Sequence, residues 1–497
     1  MKKYLLMLAL IAFGCQGQPR GGRVTILHTN DMHAQYAPAP ATWVQGTPKP
    51  LVGGMTALQH FVNEQRRLYP NSLLLDAGDY TTGTMLTKIK HNGAFNGAFV
   101  EMMNLVGYDA AAVGNHEFDE GQENMRRLFE LAQFDVLSAN LTINGKAVAQ
   151  PFKIYNVGNL RVGVIGLMLP ELFSVAAEKH LGGVRVADPL QTAQRLIDKI
   201  DRKTDLIVLL SHLGVEKDIE LARGVRGADI IVGGHSHTLL RKPLQENGVL
   251  IVQAGTKARS LGRLTVDVRG DSISWWNYDL INVWADSATS PDPQMSALVR
   301  RFDEQIEAEY GGQIGMLQTD WKQNERGESN IGNFIADVMR STTGCDVAIM
   351  NSGGIRKSMP AGPVKRMDIW EILPFSNYVV TFEATGDQLL RLIGNDVDEH
   401  IQKGSSLYQI SGLSYAFRRT ADGRGELVEA RILDAPIDPA KIYRGATVDF
   451  VMDQWRQNFM FQNVRTTPSL IADLLIEHIE KNPQIDSKVE GRIRRVN

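Results

Sequence analysis

Val24-Thr25-Ile26-Leu27-His28-Thr29-Asn30-Asp31-Met32-His33, residues 24–33, begins as an apolar run and ends in a cluster of carboxamide, carboxylate and imidazole. The same figure recurs downstream. Residues 73–75 precede Asp76-Ala77-Gly78-Asp79, and 110–113 precede Gly114-Asn115-His116-Glu117. Residues 206–210 precede Ser211-His212, and 230–232 precede Gly233-Gly234-His235-Ser236-His237. Helical patterns at 55–68, 94–106 and 190–200 lie between several of these runs. Strands alternating with helices predict a layered α/β domain. Runs that are apolar throughout predict sheets buried on both faces. In such sheets the loops at the strand ends carry the site.

The clusters have the chemistry of a metal centre. Asp31 and His33 are spaced by two, as are His235 and His237. In extended backbone this spacing points both side chains to one side. One pair alone says little, but five clusters, each after a buried strand, predict a metal site built from loops. Hard divalent ions accept carboxylate and carboxamide oxygen, and imidazole suits Zn, Mn, Fe and Co. Two ions roughly 3.5–4 Å apart can clamp the attacking and leaving oxygens of an in-line displacement. A carboxylate between them would bridge the ions and offset their repulsion.

The four motifs Asn30-Asp31-Met32-His33, Gly78-Asp79, Gly114-Asn115-His116-Glu117 and Gly233-Gly234-His235-Ser236-His237 resemble those of calcineurin-like metallophosphoesterases. The Phe118-Asp119 continuation is similar to the 5'-nucleotidase branch of that group. The resemblance implies two divalent ions, with Zn, Mn, Fe or Co as candidates. Asp31, His33, Asp79 and His237 would hold one ion; Asp79, Asn115, His212 and His235 would hold the other. It also implies that His116 is no ligand but faces the phosphate, with Asp119 orienting it. A His whose other nitrogen is fixed by a carboxylate can stabilise charge that develops on a phosphoryl group. His28 is read as structural, and His60, His91, His180 and His400 as solvent or packing residues.

The second half carries the same resemblance. Asn351-Ser352-Gly353-Gly354-Ile355-Arg356 is similar to the substrate loop of the nucleotidase C-terminal domain, which implies Asn351 and Arg356 as substrate ligands. Glycines let backbone approach a ligand, and arginine suits phosphate or carboxylate. Leu373-Pro374-Phe375-Ser376-Asn377 resembles the base-binding motif, with Phe375 stacking and Asn377 hydrogen-bonding, and Ile410-Ser411-Gly412 resembles a further loop near the nucleoside. Two positions depart from the pattern. Where the family commonly has an Arg before its Asn-Met-Gly or Asn-Leu-Gly motif, Glu325 stands, with Arg326 beside it as the substitute candidate. The late Gly-Gly-Asp-Gly-aromatic loop is absent; Gln457-Asn458-Phe459-Met460-Phe461-Gln462 stands there, leaving Phe459 or Phe461 as the second stacking ring.

The remaining features bound the reading. The 497 residues exceed one hydrophobic core and predict two or three domains. A net charge of −3 gives no basic surplus for a polyanion, so nucleic acid is not an expected partner. The two cysteines, Cys15 and Cys345, exclude a disulfide framework, and Cys345 reads as a small core residue. Lys2 and Lys3, the apolar stretch 4–13 and Gly14 before Cys15 read as an export signal. Cys15 is either a lipidation site, which would make a lipid anchor the only link to a membrane, or an incidental cysteine after an ordinary cleaved signal. The Pro- and Ala-rich loop 37–50, with Trp43, follows the first cluster and is expected to overhang the site.

The expected organisation is a signal and tether at 1–22 and a four-layer α/β catalytic sandwich at 23–285. A linker helix at 286–312 and a second α/β, substrate-binding domain at 313–497 follow. Helices are expected at 295–310, 330–341, 386–393 and 467–481. The resemblance implies an exported, periplasmic or lipid-anchored hydrolase of 5'-nucleotides or other phosphate esters, with the site between domains that close or rotate on each other. The alternatives are a 2',3'-cyclic phosphodiesterase, a UDP-sugar hydrolase, a thiosulfohydrolase, or a catalytically silent nucleotide-binding lipoprotein.

Overall fold

The computed structural model describes residues 21–41, 43–45, 48–287, 291–456 and 458–496. The export segment and Cys15 lie outside them. The first domain is built on two six-stranded sheets. One runs in the order Ile273–Asn282, Ser260–Arg269, Gly21–Thr29, Ser72–Asp76, Ala110–Ala112, Asp135–Leu137. The other runs Phe152–Val157, Leu160–Met168, Leu206–His212, Ile230–Gly233, Val249–Val252, Leu244–Glu246. The central strands of each sheet are parallel, so the loops that follow them gather on one rim.

The unbroken apolar runs are explained by alternate residues feeding different layers. Val24, Ile26, Leu73 and Leu75 pack between the sheets against Val162, Val164, Val208, Leu210, Ile230 and Val232. Their neighbours Leu27, Leu74, Ile207 and Leu209 face the helical layers instead. Met55–Leu68 packs on the first sheet, and Pro189–Ile200 and Val215–Gly224 on the second. Pro189–Ile200 starts at the Asp188 side chain, which accepts from the Gln191 N–H at 2.7 Å, with Pro189 in the first turn. The result is a helix–sheet–sheet–helix sandwich of four layers.

The second domain has its own core around a five-stranded sheet, ordered Tyr408–Ser411, Val347–Asn351, Ile442–Val448, Tyr378–Thr385, Gln462–Leu470. Helices Asn330–Thr343, Gly386–Lys403 and Ile471–Lys481 cover it. Between the two cores, helix Pro293–Tyr310 buries Met295, Leu298, Phe302 and Ile306 in the first domain. Cys345 is a buried free thiol. Among the described residues no helix is long and apolar enough to cross a membrane.

Two expectations change. Gly386–Lys403 runs ten residues beyond 393, because Val397 continues its buried face and Gly404 stops it in a left-handed conformation. Residues 467–470 are the end of an edge strand rather than the start of a helix. Pro468 is tolerated there because an edge strand has an unpaired side. In the 37–50 loop, Trp43 is exposed and lies under the Arg259 guanidinium at 5.2 Å.

Candidate active site

Asp31, His33, Asp79, His235 and His237 all have left-handed backbone, with φ of 49°, 50°, 56°, 69° and 53°. Extended backbone is therefore not what aims the Asp31/His33 and His235/His237 pairs. Each chain reverses at the rim and turns its side chain back toward the centre, a conformation that costs a non-glycine residue roughly 1–2 kcal/mol. Backbone bonds lace the loops together: Asp31 N–H donates to Gly78 O at 2.9 Å and His33 N–H to Asp79 O at 3.0 Å. The buried Glu117 carboxylate accepts from the N–H groups of Gly114, Asp79 and Thr81 at 2.6, 3.1 and 3.2 Å. It ties the second cluster to the third. Sequence reading passed over it, although it directly follows His116. Gly114 crosses Asp79 so closely that a Cβ would lie 2.2 Å from its Oδ1, which accounts for glycine before Asn115.

The side chains converge as two groups of metal-binding type. Asp31, His33 and His237 form one, and Asp79, His212 and His235 the other; Asp79 also groups with His33 and His116. His33 Nδ1–H donates to Thr82 O at 2.9 Å, which leaves the Nε2 lone pair facing His237 Nε2 at 3.0 Å. Burial first, then the positive potential of His237, His116 and Arg356, holds His33 well below the ordinary imidazole range. In the second group, His212 Nδ1–H donates to Ala77 O at 2.7 Å, and its Nε2 lies 3.1 Å from Asp79 Oδ2 and 3.3 Å from Asn115 Oδ1. Asn115 Oδ1 is also 3.1 Å from His235 Nδ1. Ligand atoms gathered this closely could hold a metal ion. The donor set, imidazole with carboxylate and carboxamide oxygen, fits divalent transition ions.

His116 stands beside this centre on the turn His116–Phe118, which brings Asp119 Oδ2 within 2.7 Å of its Nδ1. Its N–H is anchored on Asp79 Oδ1 at 2.9 Å. Burial lowers its basicity, but Asp119 and Asp79 outweigh burial and hold the imidazole above its ordinary value.

A cavity of about 400 Å³ opens from the centre into the cleft between the domains. The first domain lines it with Asp79, Asn115, His116, Asp119, His235 and His237, the second with Asn351, Arg356, Phe375 and Asn377. The Phe375 ring stacks on His116, and the Arg356 guanidinium lies 5.9 Å from the Phe375 centroid. Lys88 Nζ donates to Ser376 Oγ at 2.9 Å and Gln454 Nε2 to Ser174 O at 2.6 Å, which holds the domains together across the cleft.

Four candidates fall outside the cavity lining. Arg326 is exposed on its own loop. Gly412, at φ 68°, packs against Asp346 O at the end of strand Tyr408–Ser411 opposite the site. Phe459 and Phe461 stack on each other at 5.6 Å, and Phe461 lies 4.8 Å from Phe382, inside the second domain's own aromatic core. The aromatic residues that line the cavity beside Phe375 are Tyr408 and Phe450, which sequence reading missed. Phe450 had one available signal: it stands two residues past the end of strand Ile442–Val448, in the first turn of helix Asp449–Trp455.

The calcineurin-like phosphoesterase profile matches residues 24–239, and the profile of the 5'-nucleotidase C-terminal domain matches 308–463. Protein UshA of Escherichia coli is 28% identical over 95% of this chain and 93% of its own length. A 5'-nucleotidase of Vibrio cholerae is 28% identical over 85% of each chain. The crystal structure of a 5'-nucleotidase precursor from Thermus thermophilus superposes with a TM-score of 0.86 at 28% identity, covering 96% of this chain and all of that one. Related along both domains, the chain belongs to the 5'-nucleotidase family of calcineurin-like phosphoesterases and is a hydrolase of phosphate esters that works with two divalent metal ions.

Proposed function

We propose that the substrate is a 5'-nucleotide, hydrolysed to nucleoside and phosphate. The observation that carries this reading is one cavity that joins the Asp79-centred donor cluster to Arg356, Phe375 and Asn377. Asp31, His33, Asp79 and His237 would hold one ion, and Asp79, Asn115, His212 and His235 the second. When bound, the ions supply Lewis-acid charge at the phosphoryl oxygens and make water a better nucleophile. The protein's part is positional and electrostatic. His116, fixed by Asp119 and held toward its protonated form, donates to the phosphoryl or leaving oxygen as charge develops there. Arg356 meets the phosphate, Phe375 offers a stacking face, and Asn351 and Asn377 offer amide hydrogen bonds.

The catalytic unit is taken as 23–285, the linker as 286–312 and the substrate unit as 313–497. The 1–22 segment is assigned as export signal and tether, with Cys15 lipidated in an exported protein. Intact mass of the mature chain from its native membrane fraction tests this, and a lipid-free N-terminus elsewhere than Cys15 refutes it.

The decisive experiment is phosphate release by metal-loaded protein from AMP, UDP-glucose and a 2',3'-cyclic nucleotide, with a sulfonated thiol assayed for sulfate. AMP should give the highest kcat/KM. Preference for one of the others replaces the nucleotide assignment with that hydrolase, and release from none of them sinks it.

A further inference from the structure

Besides the groups already placed, the cavity is lined by Asp396, Glu399, Ser405, Ser406, Tyr408 and Phe450. Tyr408 pairs across the sheet with Asn351, so its strand begins at the site rim. Asp396 comes from helix Gly386–Lys403, and its Oδ2 accepts from the Tyr408 N–H at 3.2 Å. No hydrogen bond from a described residue reaches its Oδ1. Burial pushes this carboxyl up to about 7, with Glu399 adding to it and the Tyr408 N–H opposing. Its charged neighbour is Glu399, not a member of the metal centre. The Tyr408 hydroxyl already accepts from Trp455 Nε1 at 3.0 Å. Its own proton has no acceptor among the described residues and is available to a ligand.

A carboxylate oxygen that lacks a donor and a phenol that lacks an acceptor thus share a cavity with the ring of Phe375. We infer that Asp396, together with Tyr408, is a specificity-determining residue that reads the hydrogen-bonding edge of the base, and that guanine is the base it takes best. This rests on the nucleotide reading above. Guanine presents N1–H and the 2-amino group side by side, two donors for one carboxylate, with O6 next to them as acceptor for the phenol. Adenine and cytosine present a single amino group beside a ring-nitrogen acceptor. Uracil presents one N–H between two carbonyls, whose oxygens face the carboxylate with like partial charge. A site built to receive donors discriminates against a ligand that lacks them, because its buried polar groups stay unpaired.

The test is kcat and KM of the metal-loaded full chain for GMP, AMP, CMP and UMP, repeated on Asp396→Asn. The wild type should favour GMP over UMP by about tenfold or more in kcat/KM, mostly through KM. Asp396→Asn should bring the two within about threefold of each other, since its amide NH₂ repels one guanine donor and welcomes a uracil carbonyl. The ratio is insensitive to the fraction of folded enzyme, which scales both substrates alike. Equal use of GMP and UMP by the wild type overturns the inference, as does a ratio that Asp396→Asn leaves unchanged. Hydrolysis of p-nitrophenyl phosphate with none of the four nucleotides turned over rejects the nucleotide reading itself, and the base subsite with it.

Discussion

The imidazole of His116 and the ring of Phe375 lie 5.6 Å apart, centroid to centroid, and 15° from parallel, although one belongs to each domain. The ring assigned to the base therefore touches the residue assigned to the phosphate. A nucleotide must slide between or beside them, so binding and domain position are coupled.

Phe375→Ala tests the stacking role. Stacking a base on a side chain is worth about 1–3 kcal/mol, so KM for AMP should rise roughly tenfold. KM for p-nitrophenyl phosphate, which has no base, should move less. Steady-state kinetics on both substrates make the comparison, and an unchanged KM for AMP removes Phe375 from the base site.

Asp79→Asn tests the bridge. Asp79 is the carboxylate that approaches both groups of donors. Its amide cannot offset charge at two ions, so metal content should fall below two per chain and turnover should nearly vanish. Elemental analysis beside a phosphate-release assay reads both. Chelation of the wild type should have the same effect on activity and should lower Tm by on the order of 5 °C, since ions bound only by the folded state stabilise it by about 3 kcal/mol at a hundred times Kd. Two ions and full activity in the variant would falsify the assignment.

His116→Asn separates catalysis from ligation. The Asp119 pair and the stacked Phe375 leave His116 one nitrogen for substrate. Turnover should drop by roughly 10²–10⁴ with both metals retained. Loss of a metal would make it a ligand instead.

Glu117→Ala tests the lacing of the loops. Removing this carboxylate strands three buried N–H groups, on Gly114, Asp79 and Thr81. Each unpaired buried donor costs about 1–3 kcal/mol before water enters. We expect at least 2 kcal/mol of lost stability in chemical denaturation and weaker metal binding. A variant as stable as the wild type shows that the loops hold without it.

By itself the sequence determined the layered α/β class, the loops that carry the metal donors, and the resemblance that paired His116 with Asp119. Those features are local: a buried strand is apolar at every position because alternate residues feed different layers, and an i,i+3 pair meets on a single turn. Tertiary structure alone decided the rest. Asp31, His33, Asp79, His235 and His237 reach one centre by left-handed backbone, which Asp and His adopt more readily than most residues but which spacing along the chain does not place. Glu117 acts through N–H groups of a loop far away in sequence. Phe459 or Phe461 reads in the sequence as the second base-stacking ring, yet the two stack on each other and Phe461 packs on Phe382 and Trp455 in a core. Phe450, Tyr408 and Asp396 instead line the cleft, because sheet order and helix length set which faces of the second domain meet the first. Burial is a property of the packed whole, and spacing along the chain does not encode which of several apolar or acidic residues is left facing a cavity.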